Sequence, residues 1–276
     1  MMLQNKNAII YGAGGSIGST VAKALAGAGA TVFLTGRNLS SVLKVADEII
    51  ASGGKAEAAQ VDAMDEKAIN DHVEKVVHKA GTTDISFNAI GLEVVQNMPL
   101  IDMNVEDFVR PVTIAMRSHF LTATAAAKVM IKQGSGVILS LTATPGGIGY
   151  PLTAGFAPAC CAMESFSRNL ASELGIYGIR AVNIRSGGSP DSKVFKDAIE
   201  GNPDAMAVVL GKMESDTMLK KLPLMADIAN VAVFLASDMA GKITGVTIDV
   251  TCGTTAGLNY RMAPGTGQAT GATLVL

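Results

Sequence analysis

A glycine-rich turn near the N-terminus has the composition and spacing of an anion site. Residues 12–18 read Gly-Ala-Gly-Gly-Ser-Ile-Gly, after the apolar run Asn7–Tyr11 and before a stretch rich in alanine. A pyrophosphate binds the free backbone N–H groups at the start of a helix, and a Cβ in the turn would hold it away. A turn in this place between strand and helix favours a dinucleotide site over a purely structural turn. The predicted contacts are Gly12, Gly15, Ser16, Ile17 and Gly18.

A cation follows the second apolar run, where an acidic residue would hold the ribose hydroxyls of NAD(H). The chain has Thr35-Gly36-Arg37-Asn38 at this point. A guanidinium can bind a 2′-phosphate, so Arg37 favours NADP(H) over NAD(H). The alternative is that Arg37 is a solvated surface charge.

The composition excludes several classes of protein. Of the 276 residues 49% are hydrophobic and 17% are charged, which excludes a disordered chain. The net charge of −2 and the absence of a basic block argue against a nucleic-acid partner. The three cysteines Cys160, Cys161 and Cys252 lack metal-ligand spacing with the histidines, so we expect no metal.

The run between Lys132 and Glu164 carries no charge but contains three prolines, Pro145, Pro151 and Pro158. Prolines interrupt the continuous helix that a bilayer requires, so we expect a buried segment and no membrane association. The N-terminal residues lack a signal-peptide pattern, and we expect a cytoplasmic protein.

Apolar runs alternate with helical patterns along the chain, which is typical of βαβ units in one α/β domain. Two helices are predicted at Val105–Arg117 and Ser118–Gln133, and a third near Pro203–Lys220. The domain is predicted over residues 1–253, followed by a Gly/Ala/Thr-rich tail over residues 254–276. Strands are predicted at Asn7–Tyr11, Thr31–Thr35, Ala56–Val61, Asp84–Asn88, Gly136–Thr142, Ile179–Ile184 and Thr244–Val250.

Several short motifs resemble the short-chain dehydrogenase/reductase family over roughly Lys6 to Gly253. The glycine turn is similar to that family's Thr-Gly-x-x-x-Gly-x-Gly, with Tyr11 and Ser16 as departures. The other matching motifs are Val61-Asp62-Ala63, Asn88-Ala89-Ile90-Gly91, Asp227-Ile228-Ala229, Phe234-Leu235-Ala236-Ser237-Asp238 and Ile243-Thr244-Gly245.

The resemblance implies a single-domain Rossmann-type fold, a doubly wound parallel sheet of about seven strands. It implies cofactor contacts at Asp62, Ala63, Asn88, Ala89 and Gly91, and at Gly187 and Ser189 in the turn that covers the nicotinamide.

The resemblance also implies a homotetramer that packs through the helices Ser118–Gln133 and Ala157–Leu174. Alanines on these helices would allow close approach of symmetry mates; the alternative is that they face the sheet of their own subunit. They are Ala123, Ala125, Ala126, Ala127, Ala159, Ala162 and Ala171.

This chain has residues of different chemistry at most of the positions of the family's catalytic Asn, Ser, Tyr and Lys. By the resemblance, Ala115, Thr142, Phe156 and Cys160 occupy those four positions, and only Thr142 offers comparable chemistry. Carbonyl reduction needs a proton as well as a hydride, and Phe156 has no ionisable proton.

Three other residues and Cys160 itself are candidates for the missing chemistry. Tyr150 has a phenolic proton, although a loop-packing aromatic is the alternative, and His119 has a suitable ordinary pKa, although a satisfied interior histidine is more common. The Cys160 thiol would be inert in an apolar site. Arg185 interrupts an apolar strand and needs an acidic partner, either an internal carboxylate or a substrate anion.

Two functions follow from these observations. The first is an NADP(H)-dependent oxidoreductase with a non-standard active site, acting on a carbonyl or an activated C=C bond through Thr142 or Tyr150. The second is a non-catalytic NADP(H)-binding sensor or scaffold protein.

Overall fold

Seven strands form one parallel sheet in the order β3-β2-β1-β4-β5-β6-β7 in the computed structural model, which describes residues 1–257. Neighbouring strands are aligned at their centres, with Ile9 of β1 opposite Phe33 of β2 and Ser86 of β4. This confirms the predicted doubly wound sheet. The strands are β1 (Asn7–Tyr11), β2 (Thr31–Gly36), β3 (Lys55–Gln60), β4 (Ile85–Asn88), β5 (Gly136–Ala143), β6 (Ile179–Ser186) and β7 (Thr247–Val250).

Helices cover both faces of the sheet. They are α1 (Ser16–Gly27), α2 (Leu39–Ala51), α3 (Glu66–Ala80), α4 (Val105–Gln133), α5 (Phe156–Leu174), α6 (Lys193–Gly201), α7 (Pro203–Asp216) and α8 (Met225–Ala236). One apolar cluster joins the sheet to α1, α2 and α8, and two others join it to α3, α4 and α5.

The prediction of two helices between residues 105 and 133 was wrong, because α4 is continuous over 29 residues. No helix-breaking residue separates Arg117 from Ser118, and both side chains find partners without a break. The Arg117 Nε donates to the Met64 carbonyl at 3.0 Å, and the Ser118 hydroxyl donates to the Ala115 carbonyl at 3.3 Å.

The region before α8 also differs from its prediction, since α6 precedes α7 and α7 ends at Asp216. Pro203 cannot donate a backbone hydrogen bond to α6, so it begins a new helix. Asn202 caps that helix, its side-chain oxygen accepting from the Ala205 N–H at 3.2 Å.

Most of the alanines on α4 and α5 pack inside their own subunit. Ala126 and Ala159 are fully buried, and Ala123, Ala127 and Ala171 belong to one cluster with Ile138 of β5. The structure therefore shows the second of the two predicted roles for these alanines, which is packing against the sheet of their own subunit.

The strand order changes direction at β1. From β1 the chain first adds β2 and β3 on one side, and it then returns to add β4 on the other side. Ligands of such sheets bind in the crevice outside the carboxyl ends of the strands at this switch point. No helix within residues 1–257 is long and apolar enough to cross a membrane. Most of the predicted tail, residues 258–276, lies outside the described residues.

Candidate functional site

The glycine turn lies at the switch point and has the shape that a phosphate group requires. Gly12 has φ +77°, and a Cβ added there would lie 2.6 Å from the Ala89 carbonyl oxygen. A Cβ at Gly18 would collide with the Gly12 carbonyl oxygen, so α1 packs directly against the turn. Gly15 is the N-cap of α1 and provides no side-chain hydrogen bond. The first N–H groups of α1 therefore have no side-chain cap and fit an anion.

A cavity of about 560 Å³ opens beside this turn, at the ends of β1 and β2. It runs between the glycine turn, the β2–α2 connection and the segment after β3. Asp62 and Ala63 line it, and the Asp62 carboxylate accepts from the Met64 N–H at 2.9 Å. The further lining residues are Gly12, Gly14, Gly15, Gly36, Arg37, Asn38, Ser41, Val61, Met64, Ala89, Ile90, Gly91, Glu93 and Ile114.

Arg37 lines this cavity with an exposed side chain. Its carbonyl oxygen accepts from the Gln60 side chain at 3.0 Å, which fixes the backbone. Its guanidinium is 70% exposed and lies 3.3 Å from a carboxylate oxygen of Glu93. The N-terminal N–H groups of α2 are capped by the Asn38 side chain, at 3.0 and 3.3 Å. Arg37 is therefore the positive charge at this end of the cavity, paired with Glu93.

A second cavity of about 390 Å³ adjoins the first and shares its lining at Gly15, Ala89, Ile90 and Gly91. Its lining carries no charged side chain among the described residues. The remaining lining residues are Ser16, Ile17, Gly18, Leu92, Leu141, Thr142, Ala143, Phe156, Met163, Ser186, Ser192 and Val194.

The loop between the two cavities is shaped by Asn88. This buried side chain donates to the Thr122 hydroxyl at 3.0 Å and accepts from the Ile90 N–H at 3.0 Å. Asn88 thus holds Ala89 and Gly91 at the cavity wall, while its own side chain points into the protein.

The turn after β6 is placed near the second cavity, although Gly187 and Ser189 are not among its lining residues. The Gly187 N–H donates to the Val250 carbonyl at 2.9 Å, which pairs the turn with β7. The Ser189 side chain is buried, and its hydroxyl has no hydrogen-bond partner within residues 1–257. Ser186 and Ser192 line the cavity instead.

The structure brings Ala115, Phe156 and Cys160 together beside the second cavity, as members of one apolar cluster. The β5 residue that packs against this cluster is Ala143. None of these four side chains is an effective proton donor at neutral pH, because alanine and phenylalanine have no ionisable proton and burial raises the pKa of the Cys160 thiol to about 12.

Thr142 contacts a different set of residues. Its hydroxyl donates to the Glu164 carboxylate at 2.9 Å and accepts from the Asn183 side chain at 2.7 Å. The carboxylate also pairs with the Arg185 guanidinium at 2.9 and 2.5 Å. The Thr142 proton is therefore engaged within the protein in this conformation.

Arg185 has the internal acidic partner that its sequence position requires. Besides Glu164, it contacts Asp249 of β7 at 3.0 Å, and the guanidinium is only 12% exposed. Of the two partners predicted for Arg185, an internal carboxylate and a substrate anion, the structure shows the internal carboxylate. Glu164 ends the long uncharged run, and no pattern in the sequence indicates it as the partner of Arg185.

Tyr150 and His119 lie away from the second cavity. Tyr150 is 42% exposed and is not a lining residue of either cavity. The His119 Nδ1 faces the Ala115 carbonyl oxygen at 2.9 Å, so the proton lies on this nitrogen. Its Nε2 is buried without a partner among the described residues, and burial lowers its pKa to about 4. His119 is thus a neutral interior residue at neutral pH.

We expect the free energy of unfolding to fall in mild acid, because two histidines are buried. Burial lowers the pKa of both His72 and His119 from 6.5 to about 4. Between these pH values the unfolded chain binds protons that the folded chain does not, so stability is complete above pH 6.5 and falls toward pH 4. We expect a loss of about 3 kcal/mol for each histidine over this window.

Urea unfolding between pH 7 and pH 4.5 measures this loss. His72→Gln and His119→Gln should each reduce the pH dependence of the unfolding free energy, whereas His78→Gln at an exposed position should not. Equal pH profiles for all three variants would contradict the assignment.

No group of three or more His, Cys, Asp and Glu side chains that could hold a metal occurs within residues 1–257.

Comparison with known proteins agrees with this geometry over nearly the whole chain. The family model described as enoyl-(acyl carrier protein) reductase matches residues 12–255. The chain is 31% identical over 261 residues to a 7alpha-hydroxysteroid dehydrogenase of Escherichia coli (strain K12), covering 94% of this chain and 98% of that protein. It is 29% identical to a 2,3-dihydro-2,3-dihydroxybenzoate dehydrogenase of Bacillus subtilis (strain 168), covering 93% and 98%.

Solved structures show the same fold. An NAD+-bound xylitol dehydrogenase superposes with a TM-score of 0.85 at 25% identity, covering 92% of this chain and all of the other. A gluconate 5-dehydrogenase from Burkholderia cenocepacia, in complex with NADP and tartrate, gives 0.84 at 23% identity, covering 93% and 97%. With its glycine turn, seven-stranded sheet and paired cavities, the chain belongs to the short-chain dehydrogenase/reductase family of oxidoreductases.

Proposed function

We propose that this protein is an NADP(H)-dependent oxidoreductase whose active site lacks the usual Tyr-x-x-x-Lys pair. The observation that carries the proposal is the pair of adjoining cavities that share four lining residues, with Arg37 in the first cavity and Phe156 in the second. The family fold implies a nicotinamide cofactor, and the uncapped start of α1 fits its pyrophosphate.

The preference for NADP(H) rests on Arg37. A 2′-phosphate at the first cavity would meet this guanidinium and the Ser41 hydroxyl, both lining residues. The helix N-terminus of α2 adds little, because Asn38 already caps it. Asp62 and Ala63 would bound the adenine, while Gly91, Gly187 and Ser189 would lie toward the nicotinamide.

The non-standard chemistry rests on the apolar cluster at the start of α5. We place Ala115, Phe156 and Cys160 at the family's Asn, Tyr and Lys positions. We assign the serine position to Ala143, which packs against the cluster that contains Cys160, in preference to Thr142, whose hydroxyl contacts Glu164. No side chain of this cluster supplies the proton that an alkoxide needs.

An activated C=C bond suits this site better than a simple ketone. A bound nicotinamide would supply a hydride to the β-carbon of an enone. The C=C π electrons would then move to the carbonyl oxygen, and solvent water would protonate the enolate at its α-carbon after the hydride transfer. The chain then needs only to exclude water from the hydride and to stabilise the enolate oxygen. Thr142 or Tyr150 would have to turn toward the cavity to donate that hydrogen bond.

Binding measurements test the cofactor. We expect Arg37→Ala to weaken NADPH binding about 10- to 100-fold, because one charge-assisted contact to a phosphate is lost. NADH binding should change less than about twofold. Titration calorimetry on the wild type and the variant measures both constants, and equal wild-type constants for NADPH and NADH would contradict the preference.

Turnover separates the oxidoreductase from the alternative, a non-catalytic NADP(H) sensor or scaffold. The alternative rests only on the lack of a proton donor in the apolar cluster, whereas the resemblance to oxidoreductases favours the enzyme. Stopped-flow loss of NADPH absorbance is followed against matched ketones and enones. Oxidation that depends on an enone and is reduced by Thr142→Val or Tyr150→Phe supports the enzyme. Tight binding without turnover across the panel supports the sensor.

We further propose a cytoplasmic homotetramer with one Rossmann domain over residues 1–253. The exposed surface of α4 and α5 supports a subunit contact, since Phe120 of α4 is 54% exposed and its ring lies next to that of Phe166 of α5, with the ring centroids 6.3 Å apart.

A further inference from the structure

Two opposite charges meet at the wall of the first cavity, one from each side of the switch point. Arg37 follows β2, and Glu93 lies in the loop after β4. We propose that Glu93 is a specificity-determining residue, which competes with the cofactor's 2′-phosphate for Arg37. The inference rests on the proposed function, because it concerns the same adenosine site.

Arg37 is the group in the lining of the first cavity whose charge can attract a 2′-phosphate. Of its lining residues, Arg37, Asp62 and Glu93 are charged. The Asp62 carboxylate is directed at a backbone N–H, that of Met64. The Glu93 carboxylate has Arg37 as its partner, and no other hydrogen bond or ion pair to it occurs within residues 1–257. The one lining cation is therefore neutralised before any ligand arrives.

The position of Glu93 is fixed by its neighbour rather than by its own side chain. Leu92 is 8% exposed and packs into the apolar cluster with Ala115 and Cys160, so it anchors the loop. Glu93 itself has φ +52°, a left-handed conformation that is uncommon outside glycine. The anchored loop thus presents this carboxylate to the cavity mouth, where its side chain is 53% exposed.

The Arg37–Glu93 ion pair affects the binding of NADP(H) and NAD(H) differently. A 2′-phosphate must replace the carboxylate on Arg37, and the displaced carboxylate remains close as a like charge. A ribose with two free hydroxyls meets no such repulsion, and its hydroxyls can donate to the carboxylate. Glu93 therefore reduces the preference that Arg37 creates, and it does so from a loop that also lines the second cavity through Leu92.

Adenosine 2′,5′-bisphosphate and AMP isolate this effect, since they differ only in the 2′-phosphate. Titration calorimetry is done on the full chain as wild type, Glu93→Gln, Arg37→Gln and the double variant. Glu106→Gln is the control, because it removes the same charge at an exposed position on α4. We expect Glu93→Gln to bind the bisphosphate about five- to tenfold more tightly and AMP within about twofold.

The double variant completes the test. If Glu93 competes for Arg37, its substitution should have a smaller effect, of about two- to threefold at most, once Arg37→Gln is present, because only the direct repulsion of the 2′-phosphate is then relieved. An unchanged bisphosphate affinity in Glu93→Gln, with a loss in Arg37→Gln, would overturn the competition while leaving the proposed cofactor intact. An equal gain in Glu106→Gln would also overturn it, because it would reflect net charge alone.

Failure of the proposed cofactor has a different signature. In that case Arg37→Gln leaves the bisphosphate and AMP affinities equal to those of the wild type. If Glu93→Gln then also has no effect, both proposals fail. If Glu93→Gln instead creates a preference for the bisphosphate, the competition is supported, and it is strong enough to cancel Arg37 in the natural chain.

Discussion

A variant with Ala115→Asn, Phe156→Tyr and Cys160→Lys, with Ala143→Ser added, is expected to reduce a small activated ketone with NADPH. We expect a rate about 10²–10⁴ times that of the unmodified chain, the usual contribution of general acid catalysis. The four side chains already pack in one cluster beside the second cavity. The introduced phenol would donate its proton to the carbonyl oxygen as the hydride reaches the carbon, and the introduced ammonium would lower the phenol's pKa.

The cost of this variant is stability. Cys160 is fully buried, and an unpaired lysine there would cost several kcal/mol. Glu164, one turn further along α5, cannot fully offset the charge because it already pairs with Arg185. Circular dichroism and NADPH binding therefore have to establish that the variant folds before its rate is interpreted.

Two matched variants separate proton donation from other effects. Phe156→Tyr alone adds a phenol whose pKa stays near its ordinary value of about 10, so the gain should be small. The same four changes with Cys160→Met in place of lysine keep the volume but omit the cation. If the complete variant folds, binds NADPH and is no faster than Phe156→Tyr, our placement of the catalytic positions is wrong.

Removal of the Glu164 carboxylate is expected to destabilise the protein by about 3 kcal/mol, the typical cost of breaking a buried ion pair. Glu164→Leu leaves the Arg185 guanidinium, 12% exposed, with only Asp249 as a charged partner. It also removes the acceptor of the Thr142 hydroxyl. Urea unfolding at pH 7 measures the change in the free energy of unfolding.

The comparison with Asp249→Asn makes this prediction specific. The Asp249 side chain is 39% exposed, so its pair with Arg185 should contribute less than about 1 kcal/mol. The double variant Glu164→Leu with Arg185→Met removes both buried charges, and it should recover most of the lost stability. Equal losses in Glu164→Leu and Asp249→Asn would show that burial does not decide the strength of this network.

The sequence by itself determined the features that depend on short segments. The glycine turn is recognisable because strand, turn and helix are adjacent, so that Gly12 and Gly18 meet through local geometry. Alternating apolar runs likewise predicted the parallel sheet, because each buried strand needs a crossover helix. The isolated charge of Arg185 predicted an acidic partner on energetic grounds, although not which one.

Only the tertiary structure decided which distant side chains meet. Glu93 pairs with Arg37 across 56 residues because β2 and β4 flank β1, and no pattern in the sequence indicates that contact. The Thr142 hydroxyl contacts Glu164 while the next residue, Ala143, packs against the apolar cluster of Ala115 and Cys160, and spacing alone does not reveal either contact. Tyr150 lies outside the cavity for the same reason, since the position of a loop side chain depends on packing against elements distant in the chain.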